Sequence, residues 1–140
     1  MEPRLHRVRL PRPPTVGVAP AVLGTQGERL AATHLVEDHG LRVLARNWRL
    51  ASGELRGELD VVALDGDSGT LVVCEVKTRR DAARFGGAVA ALSTRQLRRL
   101  RVLTAAFLRE SAPGVGTVRL DLIALDVSRR VTLTHVEAIG

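Results

Sequence analysis

The chain has one cysteine, one lysine and three aromatic residues, and each scarcity excludes something. A lone cysteine, Cys74, forms no internal disulfide, and its place in Leu71-Val72-Val73-Cys74 predicts a buried, inert thiol in a reducing, cytoplasmic compartment. With only Trp48, Phe85 and Phe107, no extended platform for stacking single-stranded bases is expected. No apolar run reaches the length that crosses a bilayer, so a soluble protein is predicted. Proline is scarce beyond the start: Pro3, Pro11, Pro13, Pro14 and Pro20 fall in the first 20 residues, beside Arg4, Arg7, Arg9 and Arg12. That stretch lacks an apolar period and reads as a disordered basic arm over residues 1–20, followed by a single domain over 21–140. Pro20 also interrupts the short apolar run from Val16 to Leu23, which argues against a signal peptide.

The missing lysines make the one present informative. Twenty of the 21 cations are arginine, and the exception, Lys77, ends the tripeptide Glu75-Val76-Lys77 after a strand-like run. Lysine offers a compact ammonium whose pKa moves on burial, able to hold or deprotonate a water beside a metal. Composition alone leaves open that Lys77 is an incidental cation. The net charge of +6 suits a polyanionic partner.

Periodicity orders the domain as αβββαββ. Thr25 with Glu28 forms a capping box that opens a first helix, and Gly40 closes it. Strands are predicted over 41–50, 58–65 and 70–77, the last two joined by the turn Asp65-Gly66-Asp67-Ser68-Gly69. Ser93 with Gln96 caps a long helix running to about Glu110. Its apolar side carries Leu97, Leu100, Leu103, Phe107 and Leu108, and its other side Arg95, Arg98, Arg99 and Arg109. Closing strands follow over 118–127 and 131–139, around a turn at Ser128-Arg129-Arg130.

The hairpin carries the chemistry. Pairing Asp65 with Thr70 sets Asp60 opposite Glu75 and Glu58 opposite Lys77. Opposed carboxylates repel, and a divalent cation removes that penalty; oxygen ligands of this kind suit Mg²⁺, with the Val76 carbonyl as a further donor. The alternative is a cross-strand pair between Glu58 and Lys77, with Asp60 and Glu75 turned to solvent.

Taken in order, Gly24-x-x-Gly27-Glu28, Arg46-Asn47-Trp48-Arg49, Gly57-Glu58-Leu59-Asp60, Glu75-Val76-Lys77-Thr78-Arg79 and Phe85-Gly86 resemble the YraN-like family of small bacterial proteins. That family is similar to the restriction-endonuclease-like PD-(D/E)xK nucleases and to Holliday-junction resolvases. The resemblance covers about residues 22–126. It implies an α/β fold with an αβββαβ core, a mixed sheet flanked by two helices, to which the pattern at 131–139 adds a C-terminal strand. It also implies a metal site for Mg²⁺ or Mn²⁺ at Asp60 and Glu75, with Lys77 as the catalytic lysine and Glu28 reaching in from the first helix. Duplex or branched DNA is the implied partner, and symmetric cutting of a junction implies a homodimer. The chain departs from the family pattern in a longer stretch from Arg49 to Gly57, in Leu59 at the signature's proline, and in Gln96 where relatives often carry lysine.

Glu28 thus has two candidate roles, helix cap and metal ligand. Arg79, Arg80 and Arg84 follow the site directly and, with Arg95, Arg98 and Arg99, are the candidate phosphate contacts. Trp48 is either core or a lid over the site. The four histidines, His6, His34, His39 and His135, show no ligand spacing, so no zinc site is expected. The resulting expectation is a metal-dependent endonuclease acting on structured or duplex DNA. The alternatives are a non-catalytic DNA-binding or scaffold module with the same fold, and a structural protein without a nucleic-acid role.

Overall fold

A computed structural model describes residues 4–10, 20–80, 92–111, 114–127 and 131–140. In chain order the elements are β1 (Leu5–Leu10), α1 (Pro20–Glu37), β2 (Arg42–Trp48), β3 (Leu59–Asp65), β4 (Thr70–Arg80), α2 (Thr94–Ser111), β5 (Thr117–Val127) and β6 (Val131–Val136). The strands form one mixed sheet in the order β1-β6-β5-β4-β3-β2. Among the described residues only β4 and β5 run parallel, and α2 is the crossover that a parallel pair requires. The αβββαβ core, the mixed sheet with two helices and the additional C-terminal strand are all present.

The two helices cover opposite faces. Under α1 lie Val61, Ala63, Val72, Cys74, Ile123 and Leu125, packed against Ala31 and Leu35. Under α2 lie Val62, Leu71, Val73 and Leu120, packed against Leu100, Leu103 and Phe107. Alternation along β4, with Leu71 and Val73 to one side and Val72 and Cys74 to the other, is why Leu71–Cys74 is an unbroken apolar run, while the strand turns polar from Glu75 onward. Ser93 and Gln96 form the predicted capping box: the Ser93 N–H donates to Oε1 of Gln96 at 2.8 Å, and the Gln96 N–H to Oγ of Ser93 at 3.1 Å. Arg95, Arg98, Arg99 and Arg109 are exposed on the far side of α2. Trp48 belongs to the core on that face, edge-on to Phe107 at 5.3 Å between ring centres.

Two expectations are corrected. Residues 5–10 are not part of a disordered arm. Leu5–Leu10 alternates exposed and half-buried residues, with His6, Val8 and Leu10 turned inward, and pairs antiparallel with β6, from Leu5 opposite Val136 to Leu10 opposite Val131. The apolar side of that short strand, Val8 and Leu10, packs on the α1 cluster. The rest of the predicted arm, residues 1–3 and 11–19, lies outside the described residues, as do Arg84, Phe85 and the turn at 128–130. The second correction concerns α1, which starts at Pro20 rather than at Thr25. Proline is well suited to the first helical position, where its missing N–H has no intrahelical acceptor. Thr25 is therefore interior and does not cap the helix, and Glu28 lies eight residues, about two turns, past its start. At the other end Gly40, at φ 65°, turns the chain as expected, and the Gly40 and Leu41 N–H groups donate to the Val36 and Leu35 carbonyls.

Candidate active site

Gly27 brings α1 onto the sheet. A Cβ there would lie 2.0 Å from Oγ1 of Thr78 and 3.1 Å from Cδ1 of Leu125, so only glycine allows this approach between α1 and β4. The next residue, Glu28, is thereby presented to the end of the β3–β4 hairpin.

That hairpin has the predicted register from Asp65 opposite Thr70 to Val61 opposite Cys74, and there the ladder stops. Where Asp60 would have faced Glu75, its Oδ2 accepts the Val76 N–H at 2.9 Å. The regular alternation breaks at the same point, because Leu59 and Val62 both pack under α2 while Val61 packs under α1. The neighbouring strand shows the same slip: Ala45 and Trp48 share the α2 face, and Asn47 between them sits at φ 50°. Irregular strand ends of this kind re-aim side chains, and here the one re-aimed is Asp60.

Glu28, Glu58 and Asp60 each bring a carboxylate oxygen within 4.8 Å of the other two. Asp60 is 7% exposed. Burial and the nearby charge of Glu75, with smaller effects from Glu28 and Glu58, push its carboxyl up to about 7 against the opposing Val76 hydrogen bond. Burial and the charge of Glu58 also raise Glu28, opposed by a hydrogen bond with Asn47 and by Arg46. The buried Asp60 and the half-buried Glu28 and Glu58, crowded together, form a hard, all-oxygen donor set, which fits Mg²⁺ or Mn²⁺.

Among the predicted site residues, Glu28 and Asp60 meet directly. Glu75 acts on both through its charge, while its own contact is Lys77, Nζ to Oε1 at 3.2 Å, with 14% and 16% of the two side chains exposed. Val76 touches the cluster through its N–H rather than its carbonyl. Glu58 does not pair with Lys77 across the hairpin. Its Oε2 takes the Nε–H of Arg49 at 3.0 Å, and it joins the acidic group instead. Glu58 falls opposite Lys77 only if the pairing rule is carried three residues beyond Val61 and Cys74, where the ladder ends, and Asn47, on β2, lies outside that hairpin altogether. The sequence signal was the motif pair Arg46-Asn47-Trp48-Arg49 and Gly57-Glu58-Leu59-Asp60, whose strands are neighbours in the sheet.

A cleft of about 400 Å³ opens beside the cluster, lined by Glu28, Lys77, Thr78, Arg79 and Arg80. A carboxylate and several cations therefore share one concavity. Arg99 of α2 does not line this cleft; its stem lies beside Gly57, the residue before Glu58, within 3.3 Å of where a Cβ on Gly57 would be. Arg95 and Arg98 are exposed on α2, and no contact ties them to the cleft.

Comparison with known proteins gives the family. Residues 27–125 match the model of uncharacterised protein family UPF0102. The chain belongs to that family. A UPF0102 protein of Kineococcus radiotolerans is 47% identical over 122 residues, covering 84% of this chain and 93% of that one. UPF0102 proteins of Mycobacterium avium and Mycobacterium tuberculosis are 42% and 41% identical, covering 84% of this chain and 89% and 91% of their own lengths. The UPF0102 match spans α1 to β5 and so includes Glu28, Glu58, Asp60, Glu75 and Lys77. It leaves out β1 and β6, the pair that completes the far edge of the sheet.

Among the described residues, no helix is long and apolar enough to cross a membrane. The sequence spacing of the histidines gave no hint of a ligand set, yet all four converge near the end of α1.

Proposed function

We propose that this UPF0102 protein is a cytoplasmic, metal-dependent endonuclease of the PD-(D/E)xK type that hydrolyses a phosphodiester in duplex or branched DNA. The observation that carries this reading is the acidic group of Glu28, Glu58 and Asp60 at the point where the hairpin ladder opens, beside the cleft that Lys77, Arg79 and Arg80 line. Glu28, Glu58 and Asp60 would hold Mg²⁺ or Mn²⁺, with Glu75 adding charge nearby. Such an ion supplies Lewis-acid charge for a phosphoryl oxygen and lowers the pKa of a water.

The chain's own residues do the rest. Lys77, kept in place by Glu75, orients the attacking water and accepts or relays its proton at Nζ. The water oxygen bonds to phosphorus as the phosphorus–oxygen bond to the leaving group breaks. The water's proton passes to Nζ of a neutral Lys77 and on to solvent, and solvent water returns a proton to the leaving oxygen. Arg79 and Arg80 hold the phosphate against the cleft, and Arg99 extends the positive surface from α2. A homodimer would present two such clefts to a junction.

A second reading has its own support. The short Lys77–Glu75 pair is complete within one strand, as expected of a non-catalytic DNA-binding module in which Lys77 only neutralises Glu75. Incubating purified protein with linear, flapped and four-way DNA in Mg²⁺ or Mn²⁺ separates the two. Cleavage that is lost in Asp60→Asn supports the nuclease, and salt-sensitive binding without cleavage supports the binding module.

A further inference from the structure

At the far end of α1 a second, chemically different cluster forms. His34 lies in the last turn of α1, His39 in the turn that follows, and His135 in β6. One ring nitrogen of each lies within 4.8 Å of the other two. We propose that His34, His39 and His135 form a binding site for a first-row transition metal of the imidazole-binding kind, such as Zn²⁺.

The hydrogen bonds around the cluster dictate which nitrogens are free. Nδ1 of His34 is 2.6 Å from Oδ2 of Asp38, and Nε2 of His135 is 2.7 Å from Oδ2 of Asp121. Ionised carboxylates only accept, so each of those ring nitrogens carries the proton. The remaining nitrogens, Nε2 of His34 and Nδ1 of His135, face each other at 3.1 Å. In neutral rings both present lone pairs, so this contact is satisfied either by a proton carried on one ring or by a metal cation held between them. In a tetrahedral site with Zn–N bonds of about 2.0–2.1 Å, two ligand nitrogens stand about 3.3–3.4 Å apart. The gap observed is within a few tenths of an ångström of that edge.

His39 supplies the third imidazole. Its ring centre is 4.7 Å from that of His34 and 4.9 Å from that of His135. His34 and His135 are buried and His39 is partly exposed, so the open side lies at His39. The surroundings are those of a built metal site. Ligating histidines commonly donate their second nitrogen to a carboxylate, which fixes tautomer and ring orientation. Asp38 and Asp121 stand in those positions. Asp121 is itself fixed by Nε and Nη2 of Arg119 at 2.9 and 3.0 Å and by the Ala138 N–H at 3.1 Å. Arg119 also pairs with Glu137, which holds His6 at 2.9 Å beside the cluster.

Imidazole nitrogens select zinc, copper or nickel over Mg²⁺, so this site and the acidic group would not compete for one ion. Glu28 and His34 are six residues apart on α1, about 9 Å along the axis. Neither the histidine site nor its test depends on the nuclease reading.

The test uses full-length protein stripped by chelator and titrated with Co²⁺ in excess Mg²⁺, then with Zn²⁺. One equivalent of Co²⁺ should develop intense visible bands, and one equivalent of Zn²⁺ should erase them. Asp60→Asn should keep the bands, His39→Ala should lose them, and Asp121→Asn should weaken Co²⁺ binding about 10–100-fold. X-ray absorption of the zinc-loaded wild type needs no variant and should show imidazole nitrogen ligation. Absence of Co²⁺ uptake in excess Mg²⁺, bands that survive His39→Ala, or an all-oxygen shell around zinc would overturn the proposal.

Discussion

The Val76 N–H donates to Oδ2 of Asp60 at 2.9 Å, one rung past the last backbone pair between β3 and β4. A side chain thus replaces a strand partner where the two strands part, and the carboxylate is fixed in a buried position among three other acids. That single contact links the hairpin's register to the charge cluster, and the first predictions come from it.

Metal should stabilise the protein through this cluster. At a free Mg²⁺ or Mn²⁺ concentration ten times the dissociation constant, the gain is about 1.4 kcal/mol. Differential scanning fluorimetry in excess Zn²⁺, which keeps the histidine site filled, should show Tm rising with either ion for the wild type. Asp60→Asn should show no rise. An unchanged wild-type curve at millimolar metal would mean that the acidic group holds no cation.

The same carboxyl predicts a pH dependence of known sign. Asp60 is raised from 3.8 to about 7, so between those values the folded state binds more protons than the unfolded one. Metal-free stability should therefore decline as pH rises through that window, and Asp60→Asn should flatten the decline. Protons and metal compete for one carboxylate, so Mg²⁺ affinity, read by calorimetry, should strengthen as pH rises through about 7. An affinity insensitive to pH there would remove Asp60 from the metal shell.

Gly27→Ala places a methyl 2.0 Å from Oγ1 of Thr78, so α1 must lift from β4. Overpacking of this kind costs about 1–3 kcal/mol and would move Glu28 away from Asp60. Urea denaturation should show the loss, and adding Thr78→Ala should recover part of it. A Gly27→Ala protein as stable as wild type would contradict the close approach.

Much of this was legible in the residues, and the failures have physical causes. The turn from Asp65 to Gly69 fixes the hairpin register because it is local, and the Ser93–Gln96 box fixes the start of α2 for the same reason. Strand β1 was hidden because Pro11, Pro13 and Pro14 next to it signal disorder, while its pairing partner lies more than 120 residues away. Thr25 looked like a cap because capping boxes are read from side chains alone, whereas Pro20 decides where the helix begins. The histidines were invisible as a set because the end of α1 with its following turn and the distant strand β6 bring them together, so no spacing along the chain encodes it.

Arginine contacts should appear in the salt dependence of DNA binding. Replacing Arg99, which reaches over Gly57, with Ala should reduce the slope of log affinity against log salt by about one unit. Arg98→Ala, exposed on the same helix, should do likewise if it meets a phosphate. Fluorescence anisotropy with duplex and four-way DNA measures both, and a salt-independent affinity would contradict backbone recognition.

Lys77 decides between enzyme and binder most directly. Its Nζ lies 3.2 Å from Oε1 of Glu75. Nicking of supercoiled and four-way DNA in Mn²⁺ should be compared with affinity in Ca²⁺ for wild type, Lys77→Ala and Lys77→Arg. The nuclease account predicts that both variants bind DNA nearly as well as wild type and that neither nicks it, because a guanidinium stays protonated and cannot take the water's proton. Lys77→Arg that cuts as well as wild type would contradict that account, as would a wild type that binds these substrates and cuts none of them.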